Sequence, residues 1–223
     1  MIRVVGVDGV RERWVAVELV DGAFERAFVV DRLADLRDIP ADRIGVDVPI
    51  GLVDSGLRPA DVAAKATLGP RRSSVFMTPP RPVLEHATYA DALAAARGLG
   101  EGTGISRQAF ALFPKILEAE AARAADPRLF EVHPEVSFCV LTGAPMRYPK
   151  RTWNGQHERR AALVLAGIAL PDVLPGEVAL VPADDLLDAA VAAWSADRLA
   201  RGRARSIRED SRAEPGGPGH IWA

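Results

Sequence analysis

Residues 3–19 read RVVGVDGVRERWVAVEL and contain two β-rich runs separated by a short polar turn. The runs Val4 to Val7 and Trp14 to Leu19 predict strands, because Val and Trp suit a pleated, half-buried surface. Asp8 stands at the end of the first run, between two glycines. A carboxylate at this place either opens the turn, since Asp-Gly is common turn chemistry, or binds a cation, since burying it without a partner is costly.

The same Gly-Val-Asp triplet recurs in residues 43–52, RIGVDVPIGL, where it ends at Asp47. Glycine allows close backbone approach, so neighbouring parallel strands can hold Asp8 and Asp47 side by side. Two like charges at that distance are unfavourable without a cation between them. The repeated triplet therefore favours the metal interpretation of Asp8.

A third acidic segment, residues 183–194 with the sequence ADDLLDAAVAAW, is rich in Ala and Leu and predicts a helix. Asp185 and Asp188 are three residues apart and therefore share one face of that helix. Asp184 is expected to point elsewhere and to interact with the helix dipole.

Together with further motifs, these segments resemble the DUF429 family, whose members are predicted nucleases with an RNase H-like fold. The shared motifs include, besides residues 6–9 with Trp14 and residues 44–51, the segments LGPRRSSVF (68–76), SRQ (106–108), PKI (114–116), EVHPEVSF (131–138), KRT (150–152) with Gly155, DDLLDA (184–189) and IW (221–222). The resemblance covers nearly the whole chain. It implies an α/β, RNase H-like fold: a mixed central sheet, in which a three-stranded antiparallel meander is joined by parallel strands, with helices on both faces.

The resemblance also implies a divalent-metal-dependent nuclease that cleaves phosphodiester bonds in DNA or RNA. Two Mg²⁺ or Mn²⁺ ions about 3.5–4 Å apart would clamp the scissile phosphate. Asp8 would bridge the ions, with Asp47 on one of them and Asp185 and Asp188 on the other. Glu131 or Glu135 is expected to add a ligand.

Two further residues are expected to act in the same site. His133 would shuttle a proton, although a single histidine is more often structural, and Lys150 would neutralise charge in the transition state. The alternative function is a nucleotide- or phosphate-binding protein of the same fold without nuclease activity, or a scaffold that has kept the acids and lost catalysis. Against nucleotide binding of the sugar-kinase type, Asp8-Gly9 is not followed by the Gly-Thr turn of that group.

Residues 53–104 predict an insertion over the site, within a single domain of residues 1–223. It would contain helices at 60–68 and 89–97, a proline-rich loop between them and alternating glycines at 98, 100, 102 and 104. Its predicted substrate contacts are Arg71, Arg72, Ser73 and Ser74. The alternative is a loop whose arginines face water. A C-terminal tail, 209–223, is predicted to be a linker whose Ile221-Trp222 docks back on the surface.

The remaining elements follow from local signals. Asp21-Gly22 predicts a hairpin turn before a strand at 23–30. Asp31 is expected to cap a short helix that ends at Asp38, ahead of a strand at 44–48 parallel to the first. The longest predicted helix covers 105–125, with Ser106 as its N-cap. A fifth strand at 129–132 precedes a helix opened by Pro134.

Composition sets broader limits. The 223 residues are 48% hydrophobic and 26% charged, which is typical of a globular protein. A single cysteine, Cys139, excludes an intrachain disulfide and favours a reducing compartment. The longest apolar run, residues 161–170, is too short to span a bilayer, so we expect a cytoplasmic protein that binds no membrane. The net charge of −2 argues against a general nucleic-acid coat, but residues 147–160 carry five Lys or Arg against one Glu and can follow a phosphate backbone.

Overall fold

A mixed five-stranded sheet forms the centre of the protein. The computed structural model describes residues 1–99, 104–208 and 217–223. The sheet has the order β3-β2-β1-β4-β5, with strands at Arg3–Val10 (β1), Arg13–Val20 (β2), Ala23–Val30 (β3), Arg43–Val46 (β4) and Leu129–Glu131 (β5). The first three strands are antiparallel, and β4 runs parallel to both β1 and β5. The predicted meander followed by a parallel fourth strand is confirmed.

Turn chemistry sets the register of the meander. Asp21 and Gly22 both have positive φ values, 50° and 89°, as a two-residue hairpin turn requires. After β3, a 3-10 helix spans Leu33–Asp38, but its predicted cap at Asp31 is wrong. Arg32 is the N-cap residue, and Asp31 instead forms an ion pair with Arg13 at 2.6 Å.

Helices cover both faces of the sheet. They are Pro59–Leu68 (α1), Arg81–Leu84 (α2), Tyr89–Gly98 (α3), Arg107–Ala111 (α4), Phe113–Ala125 (α5), Pro134–Thr142 (α6), Trp153–Leu165 (α7) and Ala183–Ala200 (α8), with further 3-10 turns at Gly69–Ser74 and Gly176–Leu180. One core cluster joins α8, α6 and α7 to the sheet. A second joins α3, α4 and α5 to the opposite face. None of the helices in the described residues is both long and apolar enough to cross a membrane.

The single long helix predicted for residues 105–125 is wrong. The segment forms two helices, α4 and α5, that meet at Leu112. Pro114 causes the break, since proline lacks an N–H and its ring clashes with the preceding turn of a helix. Ser106 caps α4 as predicted, because its hydroxyl accepts a hydrogen bond from the Ala109 amide at 3.0 Å.

α8 lies directly on the two central parallel strands. Gly6 of β1 and Gly45 of β4 are paired in register. A Cβ on Gly6 would collide with the backbone of Ala189 and Ala193, and one on Gly45 would come within 2.8 Å of the Ala192 carbonyl oxygen. The two glycines therefore allow the helix backbone to contact the sheet without intervening side chains.

The C-terminal residues are built into the core rather than docked on the surface. Ile221 and Trp222 are buried, and the Trp222 amide donates a hydrogen bond to the Glu131 carbonyl at 3.1 Å. Ile221 packs in a small cluster with α1 and α6. The predicted linker at 209–216 and the glycines at 100 and 102 lie outside the described residues.

Candidate metal centre

Three buried or half-buried carboxylates meet where α8 crosses the sheet. Asp8 belongs to β1, Asp47 follows β4 directly, and Asp188 lies in the second turn of α8. Each offers an oxygen atom within 4.8 Å of the others. Among the described residues, this is the one group of three or more acidic, His or Cys side chains close enough to share a metal ion.

The Gly-Val-Asp triplets explain this meeting. Side chains two residues apart in a strand point to the same face of the sheet, so Asp8 faces the same way as Gly6, and Asp47 the same way as Gly45. That face is the one on which α8 lies, because the glycines contact its backbone. Asp188 directly precedes Ala189, which touches Gly6. The glycines thus bring the helix close enough for its carboxylate to reach the two strand carboxylates.

The three carboxylates are electrostatically unfavourable without a cation. Asp8 is 7% exposed and Asp188 is 2% exposed. Burial, followed by repulsion from Asp188, raises the pKa of Asp47 to about 8. Burial raises the pKa of Asp188 to about 6, against the opposing effect of Lys150. Burial and the charges of Asp47 and Asp188 likewise hold the pKa of Asp8 well above its usual value.

Lys150 supplies one positive charge to this group. Its Nζ donates a hydrogen bond to Oδ2 of Asp188. Burial lowers the pKa of Lys150, but attraction to Asp188 and Asp8 outweighs burial and raises it overall. The other oxygen of Asp188, Oδ1, is buried and has no hydrogen-bond partner within the described chain.

The other acids of α8 differ from Asp188. Asp185, predicted as a fourth ligand, is half-buried and lines the same cavity, but it lies outside the close group of three. Asp184 points elsewhere, as the helix register predicts, and pairs with Arg151 at 3.2 Å. The structure therefore brings together three of the four predicted carboxylates.

Glu131 is engaged by a buried arginine that the sequence analysis did not identify. Both nitrogen atoms at the end of the Arg58 side chain donate to the Glu131 carboxylate. The Ile50 amide donates to the same carboxylate at 2.8 Å. Arg58 also pairs with Asp61 at 2.8 Å. Glu131 lines the cavity, but its carboxylate is occupied by these donors, and it does not join the group of three.

Glu135 and His133 lie beside the close group of three and carry unpaired polar atoms. Glu135 accepts hydrogen bonds on Oε1 from Arg159 at 2.6 Å and from Arg71 at 3.1 Å. Its Oε2, like Nδ1 of His133, is buried and finds no partner among the residues described. Burial lowers the pKa of His133, because the charged form of the ring is disfavoured there.

One cavity of about 690 Å³ is lined by the close group of three together with Asp185, Glu131, His133, Glu135 and Lys150. Of the predicted substrate contacts, Arg71, Ser73 and Ser74 belong to its lining, whereas Arg72 is exposed and lies outside it. The lining also contains three basic residues to which the sequence analysis gave no individual role, Arg11, Lys115 and Arg151. Acidic and basic side chains thus line the same cavity.

Lys115 is anchored next to Asp8. Its Nζ donates to the Arg13 carbonyl at 2.7 Å and lies 3.9 Å from the centre of the Trp14 ring. Burial lowers the pKa of Lys115. Lys115 belongs to the PKI motif at 114–116, but the motif alone did not indicate that its side chain lines the cavity.

Comparison with known proteins identifies the family. No curated protein and no solved structure matches the chain significantly. A family model described as a protein of unknown function, DUF429, matches residues 6–213. This match includes most of β1, all of β2 to β5 and α1 to α8, and all three carboxylates of the close group. The chain belongs to the DUF429 family.

Proposed function

We propose that the protein is a divalent-metal-dependent nuclease with an RNase H-like fold. One observation carries the proposal: Asp8, Asp47 and Asp188 come from three separate segments and meet within 4.8 Å in a cavity whose lining also contains basic side chains. The strand order supports the fold assignment, since a meander joined by parallel strands presents the ends of β1 and β4 side by side. The single free cysteine, Cys139, fits the cytoplasm as its location.

The residues present fit Mg²⁺ or Mn²⁺. Both ions prefer oxygen ligands, and Mg²⁺ is commonly held by one or two carboxylates while it retains several waters. The three carboxylates have raised pKa values, and Oδ1 of Asp188 is unpaired within the described chain. Both observations indicate that the ionised carboxylates lack enough positive charge to balance them. A bound divalent ion would activate water and stabilise charge on the phosphate.

The chain's own residues have separate roles in this proposal. Asp8, Asp47 and Asp188 would hold the cation, and Asp185 at the cavity wall would orient water or substrate. Neutral His133 accepts the proton released from the attacking water. Lys150, which is hydrogen-bonded to Asp188, and Lys115, which lies against Gly9, stabilise the charge that develops on the phosphate. Arg71, Ser73 and Ser74 bind the neighbouring backbone of DNA or RNA.

Cleavage of end-labelled nucleic acids tests this function. Single-stranded and duplex DNA, RNA and an RNA–DNA hybrid are incubated with protein in Mg²⁺, in Mn²⁺ and in EDTA. The proposal requires metal-dependent products that disappear with Asp8→Asn and persist with Asp184→Asn prepared in the same way. Without products, bound metal together with bound nucleotide would instead favour a nucleotide-binding protein.

A further inference from the structure

A second groove lies on the opposite side of the N-terminal half of α8. Its volume is about 450 Å³, which falls within the range of about 300–1,000 Å³ typical of small-molecule sites. Leu186 and Leu187 line this groove, whereas Asp185 and Asp188 line the metal cavity. One helix, about 10–12 Å across with its side chains, therefore separates the groove from the metal centre.

An exposed tryptophan stands at the edge of the groove. Trp153 is 83% exposed although it is the largest type of apolar side chain. It is the first residue of α7, and its backbone is held by the Thr152 cap, whose hydroxyl accepts from the Gly155 amide at 3.1 Å. A Cβ on Gly155 would collide with the Pro149 carbonyl, so this turn is tightly packed. The indole ring is thus presented to solvent from a well-packed turn.

The floor and rim of the groove have mixed character. Its apolar lining includes Leu170, Pro171 and Val173. Gln156, His157 and Arg160 add polar groups, and Arg160 pairs at 2.7 Å with Asp172, which also lines the groove. An aromatic edge, an apolar floor and a few polar donors are the combination that binds a flat heteroaromatic ring.

A basic segment connects the groove to the metal cavity. Residues 147–153 read RYPKRTW, so two aromatic residues flank Lys150 and Arg151. Lys150 and Arg151 line the metal cavity, and Trp153 lines the groove. The Arg151 side chain is 82% exposed, and Tyr148 is also partly exposed. A nucleic-acid backbone that leaves the metal cavity along this segment therefore reaches Trp153 only three protein residues after Lys150.

We propose that this groove binds an unpaired nucleobase of the substrate, stacked on Trp153, within a few nucleotides of the scissile phosphate. The inference rests on the proposed function and narrows its substrate to single-stranded DNA or RNA. A base inside a duplex is stacked and paired, and extruding it costs a few kcal/mol. Every base offers a π-face to the indole, so binding is tolerant of sequence.

Binding measured in EDTA tests the groove independently of cleavage. The probe is a labelled single strand of about 12 nucleotides, a length within known single-strand site sizes, made as oligo-dT, as oligo-U and as an abasic strand of equal charge. Trp153→Ala should weaken binding of both base-containing strands about tenfold and leave binding of the abasic strand unchanged. Trp153→Phe should restore most of the loss. Comparing oligo-dT with oligo-U shows whether DNA or RNA is preferred.

Leu165→Ala is the matched control. Leu165 belongs to the same helix, is 89% exposed and lies outside the groove lining, so its removal should leave all affinities unchanged. Equal weakening by Trp153→Ala and Leu165→Ala, or equal loss for abasic and base-containing strands, would overturn the proposal. A dimer that dissociates on Trp153→Ala would also overturn it, because a second copy would then cover the groove.

The binding and cleavage results distinguish failure of the groove proposal from failure of the nuclease proposal. Base-dependent binding through Trp153 with no cleavage in any metal upholds the groove and rejects the nuclease. Metal-dependent cleavage with affinities unaffected by Trp153→Ala upholds the nuclease and rejects the groove.

Discussion

Lys150 donates a hydrogen bond to Asp188, so the chain itself places one cation against its three clustered carboxylates. The pair is asymmetric, since Lys150 contacts Oδ2 and leaves the buried Oδ1 of Asp188 without a partner in the described chain. One ammonium charge cannot balance three carboxylates at this distance, and the pKa of Asp47 remains raised to about 8. Protons or a divalent ion must supply the remaining charge.

Replacing Lys150 with methionine should separate metal binding from catalysis. The three carboxylates remain in Lys150→Met, and a charge that repels a bound cation is removed, so Mn²⁺ binding should persist at alkaline pH. Cleavage should fall by about 100-fold, the usual effect of removing one electrostatic group from the transition state. Calorimetric Mn²⁺ titration and cleavage rates measure the two effects. Loss of Mn²⁺ binding would show that Lys150 organises the carboxylates instead.

Asp8→Asn should abolish metal binding without unfolding the protein. The substitution removes one of three mutually repelling groups, so the metal-free form should be as stable as the wild type or more stable, by on the order of 1 kcal/mol. Thermal melts with and without Mn²⁺ show both effects. Asp184→Asn is the control: Asp184 is buried and pairs with the exposed Arg151, so the variant should lose some stability, but it should keep the metal-induced shift because Asp184 lies outside the close group. An Asp8→Asn protein that keeps the shift would exclude Asp8 as a ligand.

Asp185 and Asp188 should differ although they share a helix face. Asp188 belongs to the close group and Asp185 does not, so Asp188→Asn should lose Mn²⁺ binding while Asp185→Asn retains it. Asp185→Asn should still reduce cleavage, because its side chain lines the cavity. Parallel Mn²⁺ titrations decide between this expectation and four-carboxylate ligation. Equal loss of affinity in both variants would favour the latter.

The metal-free protein should become less stable as pH rises from about 4 to about 8. The unfolded carboxyl pKa is about 3.9, whereas in the folded state it is about 6 for Asp188 and about 8 for Asp47. Within this window the folded state binds more protons than the unfolded state, so the free energy of unfolding falls with rising pH. The expected total is on the order of a few kcal/mol.

Urea unfolding in EDTA across that pH window measures this dependence. Asp47→Asn should flatten it, and saturating Mn²⁺ should reverse the loss at the alkaline end, because binding the ion displaces the protons. A metal-free stability that increases with pH over the same window would mean that these carboxylates are ionised in the folded state.

Gly6→Ala should destabilise the protein by about 3 kcal/mol or more. The added methyl group would collide with the backbone of α8, which cannot rotate away as a side chain can. Displacement of α8 would also withdraw Asp188 from its partners, so metal affinity should fall with stability. Gly98→Ala is the matched control, since a Cβ there meets nothing within 4 Å. Chemical denaturation of the two variants compares them; similar stabilities would show that α8 does not depend on this close approach.

Short-range patterns predicted the sheet and the three carboxylates. The Gly-Val-Asp triplets predict strands, and their glycines explain why α8 can approach the sheet closely. The helical repeat fixes the face of α8 on which Asp188 lies. Metal ligation by any of these residues stays a prediction. The broken helix at Pro114 was also predictable, because proline inside a helix is a local rule that apolar content does not override.

Long-range partners were not predictable in the same way. Arg58 immediately precedes the proline that begins α1, and nothing in its neighbourhood indicates a pairing with Glu131, which lies 73 residues later. Glu131 had therefore seemed free to bind metal. Lys115 lies against Gly9, the neighbour of Asp8, because α5 packs against the face of the sheet opposite α8. Such contacts depend on tertiary packing rather than on spacing in the chain.

The order of the elements has a consequence for synthesis. β1 and β4 are made early, whereas α8, the helix that covers them, begins only at residue 183. Because domains are synthesised from the N terminus onward, Val4, Val15 and Val17 stay uncovered on that face until most of the chain has left the ribosome. A product truncated before α8 exposes this apolar face and lacks Asp188. Premature termination therefore removes one of the three clustered carboxylates and leaves an aggregation-prone sheet in the same event.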